Sequence, residues 1–228
     1  MNYFFLGIAL IIAFLDWAAV GLKWKTLRYI TKPGVIILIL VWLGSNKAFF
    51  GPMLWFSAGL VFSLVGDILL VLPREPFIPA LLAFLLAHIS YIIGFNSSPP
   101  LINFPGIILI LIVLVSGIQI FRSIITNMAS DLVKKLRIPL LAYTLVISIM
   151  LLSALSTLIR PEPPSPGGWN ALPALLVSAG AMLFFLSDTS LAWNKFVNPF
   201  PYANLIVMIT YHLGQLGIII GATQHFLT

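Results

Sequence analysis

The segment FPGIILILIVLVSGIQIF, residues 104–121, decides the fold class of this chain. It contains no charged side chain, and it approaches the roughly 20 residues that an α-helix needs to cross the hydrocarbon core of a bilayer. The whole chain of 228 residues is similar: 61% are hydrophobic, 8% are charged, and the mean hydropathy is +1.10. Soluble domains have about 25% charged residues, so this chain cannot form a solvated surface. We therefore predict an all-α, polytopic transmembrane bundle in one domain, residues 1–228.

Seven further apolar windows accompany this segment, and together they predict eight membrane-spanning helices. The eight windows are Tyr3–Leu22, Ile30–Leu43, Pro52–Leu72, Phe77–Phe95, Phe104–Phe121, Ile138–Ile159, Trp169–Ala192 and Tyr202–Ala222. The second window is short, so its helix is expected to include flanking residues. Proline and glycine interrupt helices, and we expect breaks where they fall between windows. These positions are Lys32-Pro33, Gly51-Pro52, Pro73, Pro99-Pro100, residues 160–168 and Pro199.

The basic residues predict the orientation of the helices. With eight spans, ten of the twelve lysines and arginines fall in loops on one side, and only Lys47 and Arg160 fall on the other. The ten are Lys23, Lys25, Arg28, Lys32, Arg74, Arg122, Lys134, Lys135, Arg137 and Lys195. Cytoplasmic loops are enriched in basic residues, so both termini are expected outside the cytoplasm. The net charge of +6 is then a topology signal, and no nucleic-acid partner is expected.

The first window has no basic residue before it and no small-residue cleavage site, so we expect a retained helix and not a cleaved signal peptide. No segment shows the alternation of a membrane β-barrel. The predicted location is therefore a multi-pass position in a membrane, the inner or plasma membrane if the source is bacterial.

The two halves of the chain share a pattern. FSLVGD at residues 62–67 and FFLSD at 184–188 each place an aspartate near the end of a helix, and His88 and His212 follow one helix later. Each half also has a basic first loop that reaches a proline, Pro33 or Pro139. The pattern is consistent with two parallel four-helix repeats, residues 1–100 and 101–228.

Three aspartates lie within the predicted spans, where a charged side chain is costly and is a functional candidate by default. Asp16, Asp67 and Asp188 each lie four to six residues inside the cytoplasmic end of a helix, a depth of ~6–9 Å. His88 lies near the midplane. The spacings of His88 with Tyr91 and of Tyr211 with Gln215 place each pair on one helix face.

These residues together predict a polar cavity open toward the cytoplasm, with the acids near its mouth. Each also has a structural alternative. Asp16 could form an ion pair with Lys23 or Lys25, and His88 could hydrogen-bond between helices. Asn194 and Lys195 are ordinary residues for a helix end at the membrane interface.

Several kinds of chemistry are excluded or disfavoured by the residue types. The chain has no cysteine, so it has no disulfide, thiol nucleophile or thiolate metal site. It lacks Gly-x-Ser-x-Gly, His-Glu-x-x-His and the phosphate-binding Gly-x-x-x-x-Gly-Lys motif. Its three histidines lie in separate segments, so neither a metal nor a cofactor is expected. Acid–base chemistry by paired carboxylates remains.

Five segments in order resemble the YhhN family of membrane proteins, whose animal members are lysoplasmalogenases. They are Thr31-Lys32-Pro33, FSLVGD at 62–67, AHISY at 87–91, SDTSLAWNKF at 187–196 and YHLGQ at 211–215. The resemblance spans nearly the whole chain. It implies eight helices and hydrolysis of the vinyl-ether bond of a lysoplasmalogen to a fatty aldehyde and a glycerophospho-amine, with Asp67 and Asp188 as the catalytic carboxylates.

The implied reaction agrees with the acid–base interpretation, because protonation of a vinyl ether produces an oxocarbenium ion. One aspartate would donate the proton, and the other would stabilise the cation or activate water. The residues expected to hold water and the ether oxygen are His88, Tyr91, Tyr211 and Gln215, and those expected to receive the phosphate at the cytoplasmic rim are Lys32, Asn194 and Lys195.

The alternatives are a proton-coupled transporter and a non-catalytic lipid-binding protein that use the same cavity. A relay should continue across the membrane, but the external halves of the spans offer little beyond Ser, Thr and Asn. The expected partner is a membrane lipid substrate. The oligomeric state is open, with a homodimer as one option.

Overall fold

The computed structural model describes residues 2–73, 76–97, 103–128, 130–161, 163, 165 and 167–227. These residues form eight α-helices, a short 3₁₀ helix (Thr157–Ile159) and no strand. The α-helices are α1 (Phe4–Gly21), α2 (Lys25–Ser45), α3 (Met53–Val71), α4 (Phe77–Phe95), α5 (Phe104–Asn127), α6 (Ser130–Ser156), α7 (Ala171–Phe196) and α8 (Ala203–Leu227). All eight include a stretch long and apolar enough to cross a membrane. The predicted all-α bundle of eight spans is therefore confirmed, and the protein is a multi-pass integral membrane protein.

Helix α2 is longer than its apolar window and corrects one predicted break. It begins at Lys25 and continues through Pro33, so the break expected at Lys32-Pro33 is wrong. Pro139 likewise lies inside α6 and does not end a loop. A proline in a helix removes one hydrogen bond, which neighbouring helices can compensate. Pro33 is itself buried, together with Val35 and Ile36 on the packed face of α2.

The chain forms two compact units. The first unit comprises Met1–Ser97 and Ala222–Thr228, and the second comprises Ser98–Gly221. In the first unit, α1 packs on α2, α2 on α3, and α3 on α4, so each helix contacts the next in the chain. The division after residue 97 falls near the proposed repeat boundary, but the duplication and the orientation of the termini stay predictions.

In the second unit, α6 packs against both α5 and α7, and α7 packs closely on α8. The contact of α7 with α8 depends on Gly180, because a Cβ at this position would lie 2.5 Å from the backbone N of Ile218. Small residues let membrane helices approach until their backbones touch. The Ser187 hydroxyl also donates a hydrogen bond of 3.0 Å to the Val207 carbonyl oxygen, which links α7 to α8 beside Asp188.

Candidate active site

Lys32 and Asp67 form a buried ion pair in the first unit. The Nζ of Lys32 on α2 lies 3.2 Å from Oδ1 of Asp67 on α3, and their side chains are 3% and 0% exposed. Lys32, which was expected to receive the substrate phosphate at the cytoplasmic rim, is thus buried beside Asp67, and its depth in the membrane stays a prediction. Because α2 begins at Lys25, Lys32 lies about two turns inside the helix, on its buried face. Its charge is directed at Asp67 and not at solvent.

Asp16 on α1 is buried next to this ion pair along α2. The Thr31 hydroxyl donates a 2.7 Å hydrogen bond to its Oδ1, and Nε of Arg28 lies 3.8 Å from the same oxygen. The partners of Asp16 are therefore Thr31 and Arg28, and not Lys23 or Lys25, which the sequence had suggested. Arg28, Thr31 and Lys32 are spaced three and four residues apart, which places them along one side of α2. This side presents polar groups to carboxylates on two different helices.

His88 and Tyr91 lie on α4, and both are fully buried. Their spacing of three residues places them on one helix face, as predicted. The Tyr91 ring packs against Phe56 of α3, with ring centroids 5.9 Å apart. The first unit therefore buries carboxylates, a lysine and the His88–Tyr91 face within its spans.

In the second unit, Asp188 on α7 accepts a hydrogen bond from the hydroxyl of Tyr143 on α6. Tyr143 is buried, whereas Asp188 is half-buried. Sequence reasoning missed Tyr143, because a tyrosine in an apolar segment usually serves packing. The available signal was its hydroxyl: a buried phenol in a span usually finds a hydrogen-bond partner.

Tyr211, His212 and Gln215 on α8 are also buried. The Tyr211 ring meets the Phe184 ring of α7 edge to face, with centroids 5.3 Å apart. Phe184 lies about one helical turn before Asp188. These three residues, which were expected to line a polar interior, are thus buried inside the second unit, where α8 packs on α7.

Asn194 and Lys195 lie in the last turn of α7, close to the end of the helix at Phe196. Lys195 is exposed, and the Asn194 side chain accepts a 3.4 Å hydrogen bond from the Phe200 N–H. Both residues are therefore at a helix end, as expected. The predicted common cavity for Asp67 and Asp188 stays a prediction, since the structure defines one polar cluster in each unit.

The chain is similar to known proteins over most of its length. The sequence profile of the YhhN family matches residues 27–222, which include every predicted site residue except Asp16. No solved structure matches the chain.

Three relatives illustrate the range of similar proteins. Lysoplasmalogenase TMEM86B of Sus scrofa is 33% identical over 189 residues, which are 83% of this chain and 72% of the pig protein. Lysoplasmalogenase TMEM86B of Homo sapiens is 32% identical over 203 residues, or 89% of this chain and 77% of the human protein. The uncharacterized membrane protein YhhN of Escherichia coli O157:H7 is 28% identical over 87% of this chain and 88% of its own length. By the extent of these matches, this chain belongs to the YhhN family.

Proposed function

We propose that this protein is a membrane hydrolase that cleaves the vinyl-ether bond of lysoplasmalogens. Its substrates would be alkenyl-glycerophosphoethanolamine or alkenyl-glycerophosphocholine, and its products a fatty aldehyde and the glycerophospho-amine. Two mammalian relatives that carry the name lysoplasmalogenase support this proposal, since each matches more than four fifths of the chain. Within the chain, the supporting observation is that both predicted catalytic carboxylates lie in spans, one in each unit, and each contacts a side chain of another helix: Lys32 for Asp67, and Tyr143 for Asp188.

The reaction requires one proton donor, one water and a stabilised cation. Protonation of the alkenyl carbon distant from the ether oxygen produces an oxocarbenium ion. Water adds to the adjacent carbon and loses a proton, which leaves a hemiacetal. Collapse of the hemiacetal transfers a proton to the glyceryl oxygen and breaks the carbon–oxygen bond, so that aldehyde and glycerol hydroxyl form. Glycosidases divide comparable steps between two carboxyl groups.

The different partners of the two aspartates support different roles. Asp67 is a carboxylate in an ion pair with Lys32, so it supplies negative charge for the oxocarbenium ion. Asp188 is half-buried and accepts a hydrogen bond from the neutral hydroxyl of Tyr143. We therefore assign proton donation to Asp188. Electrostatic stabilisation of this kind is strongest where water is excluded, as it is in a membrane span.

Four buried residues are assigned to water and to the ether oxygen. They are His88 and Tyr91 in the first unit and Tyr211 and Gln215 in the second. Each side chain can donate a hydrogen bond. Lys195 and Asn194, at the end of α7, are assigned to the substrate phosphate, whereas Lys32 is reassigned to Asp67.

Aldehyde release from a purified lysoplasmalogen tests the proposal. Wild type, Asp67→Asn and Asp188→Asn are compared in detergent or liposomes over a pH series. Asp131→Asn is the matched control, because Asp131 is an exposed carboxylate in the first turn of α6. Loss of a general acid is expected to reduce kcat about 10²–10⁴-fold in Asp188→Asn, while Asp131→Asn keeps wild-type activity.

Absence of aldehyde from folded wild-type protein at every pH would refute the hydrolase. Full activity in both site variants would refute the site assignment. Proton-coupled flux into liposomes without aldehyde would instead favour the transporter.

A further inference from the structure

A groove lies between α5 and α6 in the second unit, and its lining includes neither Asp188 nor Tyr143. Its volume is about 320 Å³, and its walls are mainly apolar, including Ile118, Leu141 and Leu145. These three side chains are exposed. Helix α5 buries only 11% of its span within the structure, so most of its surface is available to lipid. None of these residues belongs to the proposed catalytic site.

The two helices approach each other closely within the groove. A Cβ at Gly117 of α5 would lie 2.8 Å from Oγ of Ser148 on α6. Both residues line the groove. The lining of α5 runs from Leu114 to Thr126, which lie twelve positions and therefore ~18 Å apart along the helix. This length is close to one leaflet, or half of the ~30 Å hydrocarbon core.

Two arginines, Arg122 and Arg137, line the groove near the connection between α5 and α6. Within the described part of the chain, neither forms a salt bridge with a carboxylate. The distribution of basic residues assigns this end to the cytoplasm. A planar guanidinium group suits bidentate binding of phosphate, and basic pockets between membrane helices on this side suit anionic head groups.

We propose that the α5–α6 groove binds one anionic glycerophospholipid of the cytoplasmic leaflet. Its phosphate lies between Arg122 and Arg137, and one acyl chain lies along Ile118, Leu141 and Leu145 as far as Gly117. The groove has two arginines at one end and an apolar wall about as long as one leaflet. This charge and shape are complementary to an anionic head group with an acyl chain. A second copy of this chain would bring its own two arginines to the same level, where like charges repel.

Lipid retention measured by native mass spectrometry tests this inference. The full-length protein is reconstituted in vesicles of equal parts phosphatidylglycerol and phosphatidylcholine and then released into detergent. The test variant is Arg122→Gln/Arg137→Gln. The matched control is Lys25→Gln/Lys135→Gln, which removes the same charge from two exposed lysines outside the groove. A third variant, Leu145→Trp, fills the apolar part without a change in charge.

Wild type and the lysine control are expected to retain one phosphatidylglycerol per chain and to prefer it over phosphatidylcholine. In the arginine variant, the ratio of retained phosphatidylglycerol to retained phosphatidylcholine is expected to fall at least 10-fold. Leu145→Trp is expected to reduce the retention of both lipids. Equal phosphatidylglycerol retention in the arginine variant and the lysine control would overturn the inference. A dimer that forms through this face with no retained lipid would overturn it as well. Aldehyde release from the same samples shows separately whether the hydrolase proposal holds.

Discussion

Substitution of Asp67 by asparagine removes one charge from the buried ion pair and leaves Lys32 without its carboxylate. Because Lys32 is 3% exposed, its ammonium group cannot reach water unless the packing around it changes. We expect a large loss of stability, separate from any effect on catalysis. A stability measurement on this variant therefore tests whether Asp67 stabilises the fold, and an activity measurement tests whether Asp67 acts on the substrate.

The magnitude follows from the geometry of the pair. At 3.2 Å between Nζ and Oδ1, the attraction is about 5 kcal/mol for an effective dielectric constant of ~20. Removal of one partner from a buried pair typically costs about 3–5 kcal/mol. For a chain of this length that corresponds to a decrease in Tm of roughly 6–20 °C.

Thermal unfolding in detergent, followed by circular dichroism, provides the assay. The variants are Asp67→Asn, Lys32→Met and the double variant, with Asp131→Asn as the exposed control. Because the double variant leaves no unpaired charge, it should unfold within about 1–2 kcal/mol of wild type. If Asp67 also acts in the reaction, the double variant stays inactive although it is stable.

Two results would refute this reasoning. The first is additivity: if the double variant loses as much free energy of unfolding as the two single variants together, the two charges are not coupled. Recovery of full aldehyde release in the stable double variant would show that Asp67 has only a structural role.

Tyr143→Phe removes the hydroxyl that donates a hydrogen bond to Asp188. It should lower the rate of aldehyde release about 10-fold or more and shift the pH profile of that rate. An unchanged kcat and pH profile would argue against a positioning role for Tyr143. Gly180→Ala should destabilise the protein by more than 1 kcal/mol in the same unfolding assay, since the new Cβ would meet the Ile218 backbone. The control is Gly7→Ala, which should be neutral or stabilising because the space around Gly7 is open. A reporter fused into the connection between α5 and α6 should be active only on the cytoplasmic side, and external activity would contradict the orientation.

The helix positions were largely predictable, because a segment that crosses a bilayer must itself be apolar. The window Phe77–Phe95 coincides with α4, and the expected extension of the second window is confirmed by α2. The preference of proline for helix ends led to a wrong break at Lys32-Pro33, because α2 continues through Pro33 on its buried face. The break predicted at Pro99-Pro100 lies outside the described residues.

The candidate site was predictable by residue type but not by partner. Burial of the aspartates in spans follows from their sequence positions, and all three lie in helices. Their partners depend on the rotation of each helix about its axis, which hydropathy does not encode. Lys32 was therefore assigned to a rim and Tyr143 was overlooked, although each contacts a carboxylate on another helix.

The sequence by itself determined an all-α protein with eight spans, because hydrocarbon accepts only apolar segments whose backbone hydrogen bonds are satisfied internally. It also determined which costly polar side chains lie inside those spans. Only the tertiary structure decided that Asp67 faces a lysine, that Asp188 faces a tyrosine, and that Arg122 and Arg137 border one groove. Those outcomes arise from side-chain packing between neighbouring helices, where close contact and hydrogen bonding select one arrangement.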